Sequence, residues 1–347
     1  MSPKVTLQDV ADKAGVHRAT AARAIRNETK ISKEVRERVQ KLANEMGYRV
    51  NPLVAALMQS RRNTRVSRHT VIAYVTNYPT RYGWRPPHID RPDYFPGAQA
   101  RAQELGYKLE HFWLGEPGMT PERFSNVLTT RGIHGLLMGR LPPKIEEARL
   151  LWERFSSVAL GRTLRTPRLH YVTEDHYAGA ALAVRQMIEK GFRRIGFVST
   201  GRDDSPGVLN RWLGGFLREQ LKLDAKNRIT PFFFIPEPDT EKNPRQFGRW
   251  YDKWKPDALL VTEAPPFFEW LKTLKIRPRE IPMATLVNER LDEKWTGIYC
   301  DHTLLGSLAV ETLVGLMVRG ETGIPEHPHE VLLSGKWMEG VTLGRKK

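Results

Sequence analysis

From residue 70 onward the sequence alternates short apolar runs with amphipathic stretches, and this rhythm constrains the fold more than any other feature. Val71–Val75, Lys108–Trp113, Gly135–Met138, Val158–Leu160, Ile195–Val198, Pro231–Ile235, Ala258–Val261 and Met283–Val287 read as strands. The stretches predicted as helices are Tyr94–Leu105, Pro121–Thr130, Glu146–Phe155, Tyr177–Lys190, Leu209–Leu221, Gln246–Trp254, Phe267–Leu274 and Thr303–Arg319. Strands that alternate with helices at this spacing imply parallel sheets covered on both faces. The length of residues 70–347 suits an α/β body of two Rossmann-like lobes, in which ligands sit at the carboxyl ends of the strands.

Residues 1–69 are different. The chain carries 55 Lys and Arg against 39 Asp and Glu, a net +16 over 347 residues. Counting residues 1–69 gives 15 − 6 = +9, and the rest gives 40 − 33 = +7. A fifth of the chain holds more than half of the charge, as a separate nucleic-acid-binding head would. Thr6 with Asp9 three residues later is a capping-box start, and Gly15 ends the first helix. A turn through His17 leads to a second helix over Arg18–Arg26. Ser32 begins a third, running to Met46, with Val35, Val39, Leu42 and Met46 facing inward. Three short helices with a Gly-containing turn describe an all-α helix-turn-helix head over residues 1–50. Its second helix would enter the major groove N-terminus first, so Arg18, Ala19 and Arg23 are the expected base readers. Thr6, His17, Thr20 and Asn27 are placed to contact phosphates. Asn51 as a cap and Pro52 at the first helical position start a short helix over residues 52–58. That helix and the basic run 59–69 form a hinge and linker over residues 51–69.

The rest of the composition excludes several classes. Hydrophobic residues make up 40% of the chain, so its main character is globular rather than disordered. The single cysteine, Cys300, permits no internal disulfide and no Cys-rich zinc module. No signal peptide and no membrane span is expected, and the predicted location is cytoplasmic. No two glycines are separated by one residue, which excludes the dinucleotide-binding fingerprint, and no Walker, H-E-x-x-H or G-x-S-x-G string is present. His327, His329 and Glu330 match metal-ligand spacing only loosely, in a Pro-rich stretch read as a solvated loop. No cofactor, metal or catalytic residue is expected.

Val5 to Val16, with Thr20, Arg23, Gly47, Tyr48 and Asn51, resemble the DNA-binding head of the LacI/GalR family of transcriptional regulators. The resemblance extends more weakly along the body, through Gly97, Gly106, Asp175, Gly191, Arg211 and Gly306. It implies a hinge helix that pairs with its copy in a homodimer and wedges a leucine, here Leu57, into the minor groove. It also implies a body like the periplasmic sugar-binding proteins, with lobe crossovers near Leu160–Thr166, near Asn288–Trp295 and after Pro325, where the tail from Gly323 to Trp337 reads as the returning strand. In the cleft it points to Asp175 and Arg211 as polar effector contacts, and to Glu263 and Asn288 as polar residues at strand ends. Asp93, Tyr94 and Phe95 lie where the first body helix begins and would rim the cleft. Trp212 either stacks on a sugar face or belongs to the core. Family members usually carry Ser in place of His17 and Ala22, and Asn in place of Arg26, so their operator sequences do not transfer. The expected function is a sequence-specific repressor of double-stranded DNA at a palindromic operator, controlled by a small-molecule effector, a carbohydrate. The alternatives are a nonspecific DNA-associated sugar-binding module and an enzyme on the two-lobe scaffold.

Overall fold

A small head precedes a body of two sheets, and the chain divides into the units Met1–Ser67 and Arg68–Lys347. The computed structural model describes residues 5–25, 31–46, 48, 70–86, 93–142, 145–199, 206–233, 242–273, 281–288 and 294–344. Asn27, Asn51, Leu57, the helix expected over 52–58 and the linker 59–69 lie outside the described residues.

The head contains α1 (Leu7–Ala14), α2 (Arg18–Ile25) and α3 (Lys33–Glu45). The capping box forms as expected: the Thr6 hydroxyl accepts from the Asp9 amide at 3.3 Å, and Asp9 Oδ2 accepts from the Thr6 amide at 2.7 Å. Gly15 closes α1 in the left-handed conformation, φ 64°. The Ser32 hydroxyl caps α3 by accepting from the Val35 amide. Val10, Ala11, Ala14, Ala21, Ala24, Val39 and Ala43 are buried, so the core is mostly alanine and valine. Short side chains let three short helices pack closely, and tertiary packing then supplies the stability that isolated short helices lack.

The body holds two six-stranded sheets, one in each lobe. Lobe 1 contains β1 (Thr70–Thr76), α4 (Phe95–Glu104), β2 (Tyr107–Trp113), α5 (Pro121–Thr130), β3 (Gly135–Met138), β4 (Ser156–Leu160) and β5 (His170–Glu174). Lobe 2 follows with α6 (His176–Glu189), β6 (Ile195–Ser199), α7 (Pro206–Gln220), β7 (Phe232–Phe233), α8 (Lys242–Trp254), β8 (Ala258–Val261), α9 (Ala264–Thr273), β9 (Met283–Asn288) and β10 (Gly297–Tyr299). The chain then returns to lobe 1 for α10 (His302–Arg319) and β11 (Glu330–Leu333), and ends in lobe 2 with β12 (Lys336–Met338). The strand orders are β11-β5-β4-β3-β1-β2 and β12-β10-β9-β8-β6-β7. All pairings are parallel except β10 with β12. Both faces of each sheet are covered: along β1, Ile72 and Tyr74 join one core cluster while Ala73 and Val75 join the other.

Three expectations are corrected. The helix expected over Glu146–Phe155 is an extended segment followed by a 3₁₀ turn at Trp152–Arg154. Its backbone pairs with a neighbouring loop, the Arg165 and Thr166 amides both donating to the Glu146 carbonyl. Ala148, Leu150 and Trp152 are buried while Glu147 and Arg149 are exposed, which is a period of two rather than 3.6. Two strands escaped the reading altogether, β5 and β10. Buried His170 and Thr173 disguise the first as polar, and the second is three residues long and begins with Gly297. The first two lobe crossovers therefore lie later than expected, at Glu174–Asp175 and Cys300–Asp301, while the third falls after Pro325 as expected, between β11 and β12 at Ser334–Gly335. His327 and His329 are exposed outside any strand, as expected of a solvated loop, whereas Glu330 belongs to a strand. The His329 amide donates to His170 Nδ1 at 2.9 Å, and Glu330 opens β11.

The return to lobe 1 depends on a close helix contact. A Cβ added to Gly97 on α4 would lie 1.8 Å from the Thr303 carbonyl oxygen, and one on Gly306 of α10 would lie 2.1 Å from that of Tyr94. Both obstacles are backbone, so neither yields by a side-chain rotation. Gly97→Ala and Gly306→Ala are each expected to destabilise by about 1–3 kcal/mol or more through overpacking. Thermal melts of the two variants, compared with Gly315→Ala on the same helix, check this.

Candidate functional site

In the head, α2 is held from below and open above. Ala21 and Ala24 are fully buried, while Arg18, Ala19 and Arg23 are exposed and Thr20 is half-buried. The Gln40 side chain on α3 donates to the Ala24 carbonyl at 3.0 Å and fixes the end of α2. His17 caps the start: its carbonyl accepts from the Thr20 and Ala21 amides, and its ring Nδ1 accepts from the Ala19 amide at 3.2 Å. That bond requires an unprotonated Nδ1 and leaves Nε2 for contacts outside the helix. Thr6, another of the expected phosphate contacts, spends its hydroxyl in the capping box. Its partner Asp9 has a carboxyl lowered from its usual range by the Thr6 backbone and side-chain bonds.

In lobe 1 the chain reverses its order between β1 and β3, and the carboxyl ends of these neighbours form the crevice expected of such a sheet. A small pocket opens there, lined by Tyr74, Thr76 and Tyr78 from β1 and its end, Trp84, the pair Asp93 and Tyr94, and Arg140 just past β3. Tyr74, Trp84 and Phe95 pack together with ring centroids 5.0–5.4 Å apart. The Arg85 guanidinium lies over Trp84 and Phe95 and pairs with Asp93 Oδ2 at 2.7 Å, while Asp93 Oδ1 accepts from the Phe95 amide. Burial pushes the Tyr94 phenol up, opposed by the Arg140 guanidinium that bonds to it. Thr76 Oγ1 lies 2.8 Å from His111 Nε2. Burial, with Arg81 and Arg85 adding, pushes His111 down to about 4, so this ring is neutral at pH 7.

The pocket gathers Asp93 and Tyr94 and none of the other residues expected in the cleft. Asp175 caps α6, its Oδ1 accepting from the Ala178 amide at 3.0 Å. Arg211 on α7 pairs with Glu330 Oε2 at 3.2 Å, and Arg162 of lobe 1 reaches the same oxygen at 2.5 Å, so Glu330 ties the lobes together. Glu263 and Asn288 do stand at strand ends in lobe 2. Asn288 is buried and donates to the Trp295 carbonyl at 3.0 Å. For Trp212 the structure selects the core: it is 3% exposed, packed with Val208 and Phe216, its ring 5.1 Å from that of His176. Besides Tyr74, Thr76 and Tyr78 on and just past β1, sequence reasoning missed Trp84 and Arg140 in the pocket. Their signals were weak ones, an aromatic beside Arg85 in the loop after the first strand, and a cation two residues beyond a fully buried strand.

The helix-turn-helix head and the two-lobed α/β body each match a known family model. Residues 6–51 match the description "Bacterial regulatory proteins, lacI family", and residues 184–343 match "Periplasmic binding protein-like domain". The head is thus similar to the lacI family and the second half of the body to the periplasmic-binding-protein-like domain. Among curated relatives, the HTH-type transcriptional repressor CytR of Escherichia coli (strain K12) is 29% identical over 208 residues, covering 58% of this chain and 55% of that protein. The regulator CelR of Thermobifida fusca is 28% identical over 211 residues, 58% of each chain. The chain thus spans little more than half the length of these relatives. Among solved structures, a CelR–cellobiose complex superposes with a TM-score of 0.56 at 21% identity, covering 98% of this chain and 100% of that one. A lac repressor dimer bound to operator and the anti-inducer ONPF gives 0.52 at 17%, covering 98% and 99%. At these identities the structures establish the fold. Among the described residues no helix is long and apolar enough to cross a membrane, and no acidic, His or Cys cluster is arranged to hold a metal.

The shared carboxylate yields a pH prediction. The Arg162 hydrogen bond lowers the Glu330 carboxyl against a smaller opposing effect of burial, with Arg162, Arg211 and Arg168 charges adding. A depressed folded value means that this stabilisation is complete above the ordinary glutamate value of 4.5 and is lost as pH falls through the lower folded value. Glu330→Gln is therefore expected to melt at a temperature that falls less steeply than the parent's on the acid side, which a series of thermal melts would read.

Proposed function

We propose that the protein is a sequence-specific transcriptional repressor that acts as a homodimer on a palindromic operator and is switched by a carbohydrate in the cleft between its lobes. The observation that carries this reading is α2, which buries Ala21 and Ala24 and turns Arg18, Ala19 and Arg23 to solvent. An arginine on such a helix can bridge O6 and N7 of guanine, and alanine can meet a thymine methyl. Thr6, His17, Thr20 and Asn27 would set the register on phosphates, while Asn51 and Leu57 would belong to the minor-groove hinge. The pocket at the carboxyl end of β1 and β3 supports the effector half of the reading. Indole and phenol faces beside a carboxylate and a guanidinium suit the alternating apolar and hydroxyl surfaces of a sugar ring. Arg211, Asp175, Glu263 and Asn288 would complete the contacts from lobe 2 on closure, Arg211 by leaving Glu330. Effector binding that favours one lobe arrangement would then shift DNA affinity, and DNA would shift effector affinity by the same factor.

Binding of the full chain to a randomised duplex pool at fixed salt, followed by titration of the selected duplex, tests the DNA half. A site preferred over random DNA is expected, with Arg23→Ala losing about 1–3 kcal/mol of that discrimination at one position and little else. Equal loss on every duplex would sink specific readout. Thermal shifts against a panel of neutral mono- and disaccharides test the effector half. A stabilising sugar whose effect is abolished by Asp93→Asn is expected.

A further inference from the structure

The two crossovers that enter helices share a dipeptide. Asp175 and His176 follow β5, Asp301 and His302 follow β10, and in both places the aspartate caps the helix that the histidine begins. Both imidazoles reach one carboxylate. His302 Nε2 lies 2.8 Å from Glu174 Oε1, and His176 Nε2 lies 3.3 Å from Glu174 Oε2. The side chains of Glu174, His302 and His176 are 19%, 12% and 6% exposed. His176 starts a helix of lobe 2 and His302 a helix of lobe 1, so the trio cross-links the two passages about which the lobes turn.

Other titratable groups lie close to it, and Trp212 packs against His176. Tyr94, bonded to Arg140, lies edge-on to the His302 ring at 5.4 Å. The Cys300 thiol is close by, pushed up by burial and by Glu174. Asp175 and Asp301 complete the set, each accepting from a backbone amide of its own helix. Burial pushes the Glu174 carboxyl up, but the bonds from His176 and His302 outweigh this and hold it well below its usual range.

With both rings neutral, each donates its Nε2–H and the trio keeps one net negative charge where little water reaches. One added proton makes the trio neutral and turns one hydrogen bond into a stronger charge-assisted bond. On His176 that proton would create an N–H at Nδ1, an atom buried with no hydrogen-bond partner among the described residues. His302 is the more exposed ring and escapes this cost.

We propose that Glu174, His176 and His302 form a proton-gated hinge pin: His302 takes up a proton, the bridge through Glu174 tightens, and the two crossovers are held at one lobe angle. Loss of the proton lets the angle vary. The device goes beyond the regulatory reading and needs neither effector nor DNA to operate.

Nitroxide labels on the full chain at Val127→Cys in α5 and Leu221→Cys beyond α7 would report the interlobe distance. Both positions are exposed, and the native Cys300 is buried. As pH is lowered stepwise from the alkaline side, the distance distribution of the parent is expected to narrow. Glu174→Gln and His302→Gln should lose that narrowing, the latter while keeping a side-chain donor. Nitrogen NMR of the parent's imidazoles supplies a readout that does not depend on a variant folding. His302 should become doubly protonated while His176 remains an Nε2–H tautomer. A parent distribution that ignores pH, narrowing that survives in both variants, or protonation of His176 in place of His302 would overturn the proposal.

Discussion

Two sheets with separate cores share one chain, and the backbone passes between them only at Glu174–Asp175, Cys300–Asp301 and Ser334–Gly335. A carboxylate lies where two of those passages meet. Placing a charge there costs several kcal/mol unless it is paired with good geometry. The cost is met from both lobes at once, because the two partners are the first residues of helices that belong to different lobes. The arrangement of the whole body follows from this. At the two passages that enter helices an aspartate caps the helix and its first residue lies beside the same carboxylate, while the apolar clusters stay on either side.

The head solves a different problem. Its core is built largely of alanine and valine, which bury little area each but let three helices approach closely. Stability then leans on helix ends: the Thr6–Asp9 box, the Gly15 cap, the His17 ring on the Ala19 amide and the Ser32 hydroxyl. Anchoring the ends and the underside leaves the long side chains of α2 unengaged on its upper face, which is where a groove would have to be read. His17 illustrates the economy, since one nitrogen of its ring holds the helix and the other points away from that bond.

The parts legible in the sequence were those with a single physical signature. The period of 3.6 placed α1, α3, α5 and α10 within a residue or two, and fully apolar runs placed β3 and β8 without error. What failed were segments whose burial is polar or whose period is ambiguous. β5 hides His170 and Thr173, which no hydrophobic count finds, and missing it moved the first crossover by about ten residues. Residues 146–155 hold enough Ala, Leu and Glu to satisfy a helix on composition, but tertiary pairing with the loop at Arg165 and Thr166 overrode propensity. The cleft was harder still. Asp93 and Tyr94 were found through their place at a helix start, whereas Trp84 and Arg140 converge with them only after folding. Trp212 carried equal signals for core and for ligand, and the apolar neighbours that decide it come from elements far along the chain.

The glycine contact between α4 and α10 has a mechanical consequence. With Gly97 against the Thr303 backbone and Gly306 against that of Tyr94, the two helices have no side-chain cushion across which to slide. Lobe 1 therefore behaves as a stiff arm right up to the residues that carry His302 and the pocket's Tyr94. A stiff arm concentrates deformation at its pivot, so a change of a fraction of an ångström beside Tyr94 is not dissipated in helix packing. It is delivered as torque to six backbone residues, and it grows into displacement in proportion to distance from them.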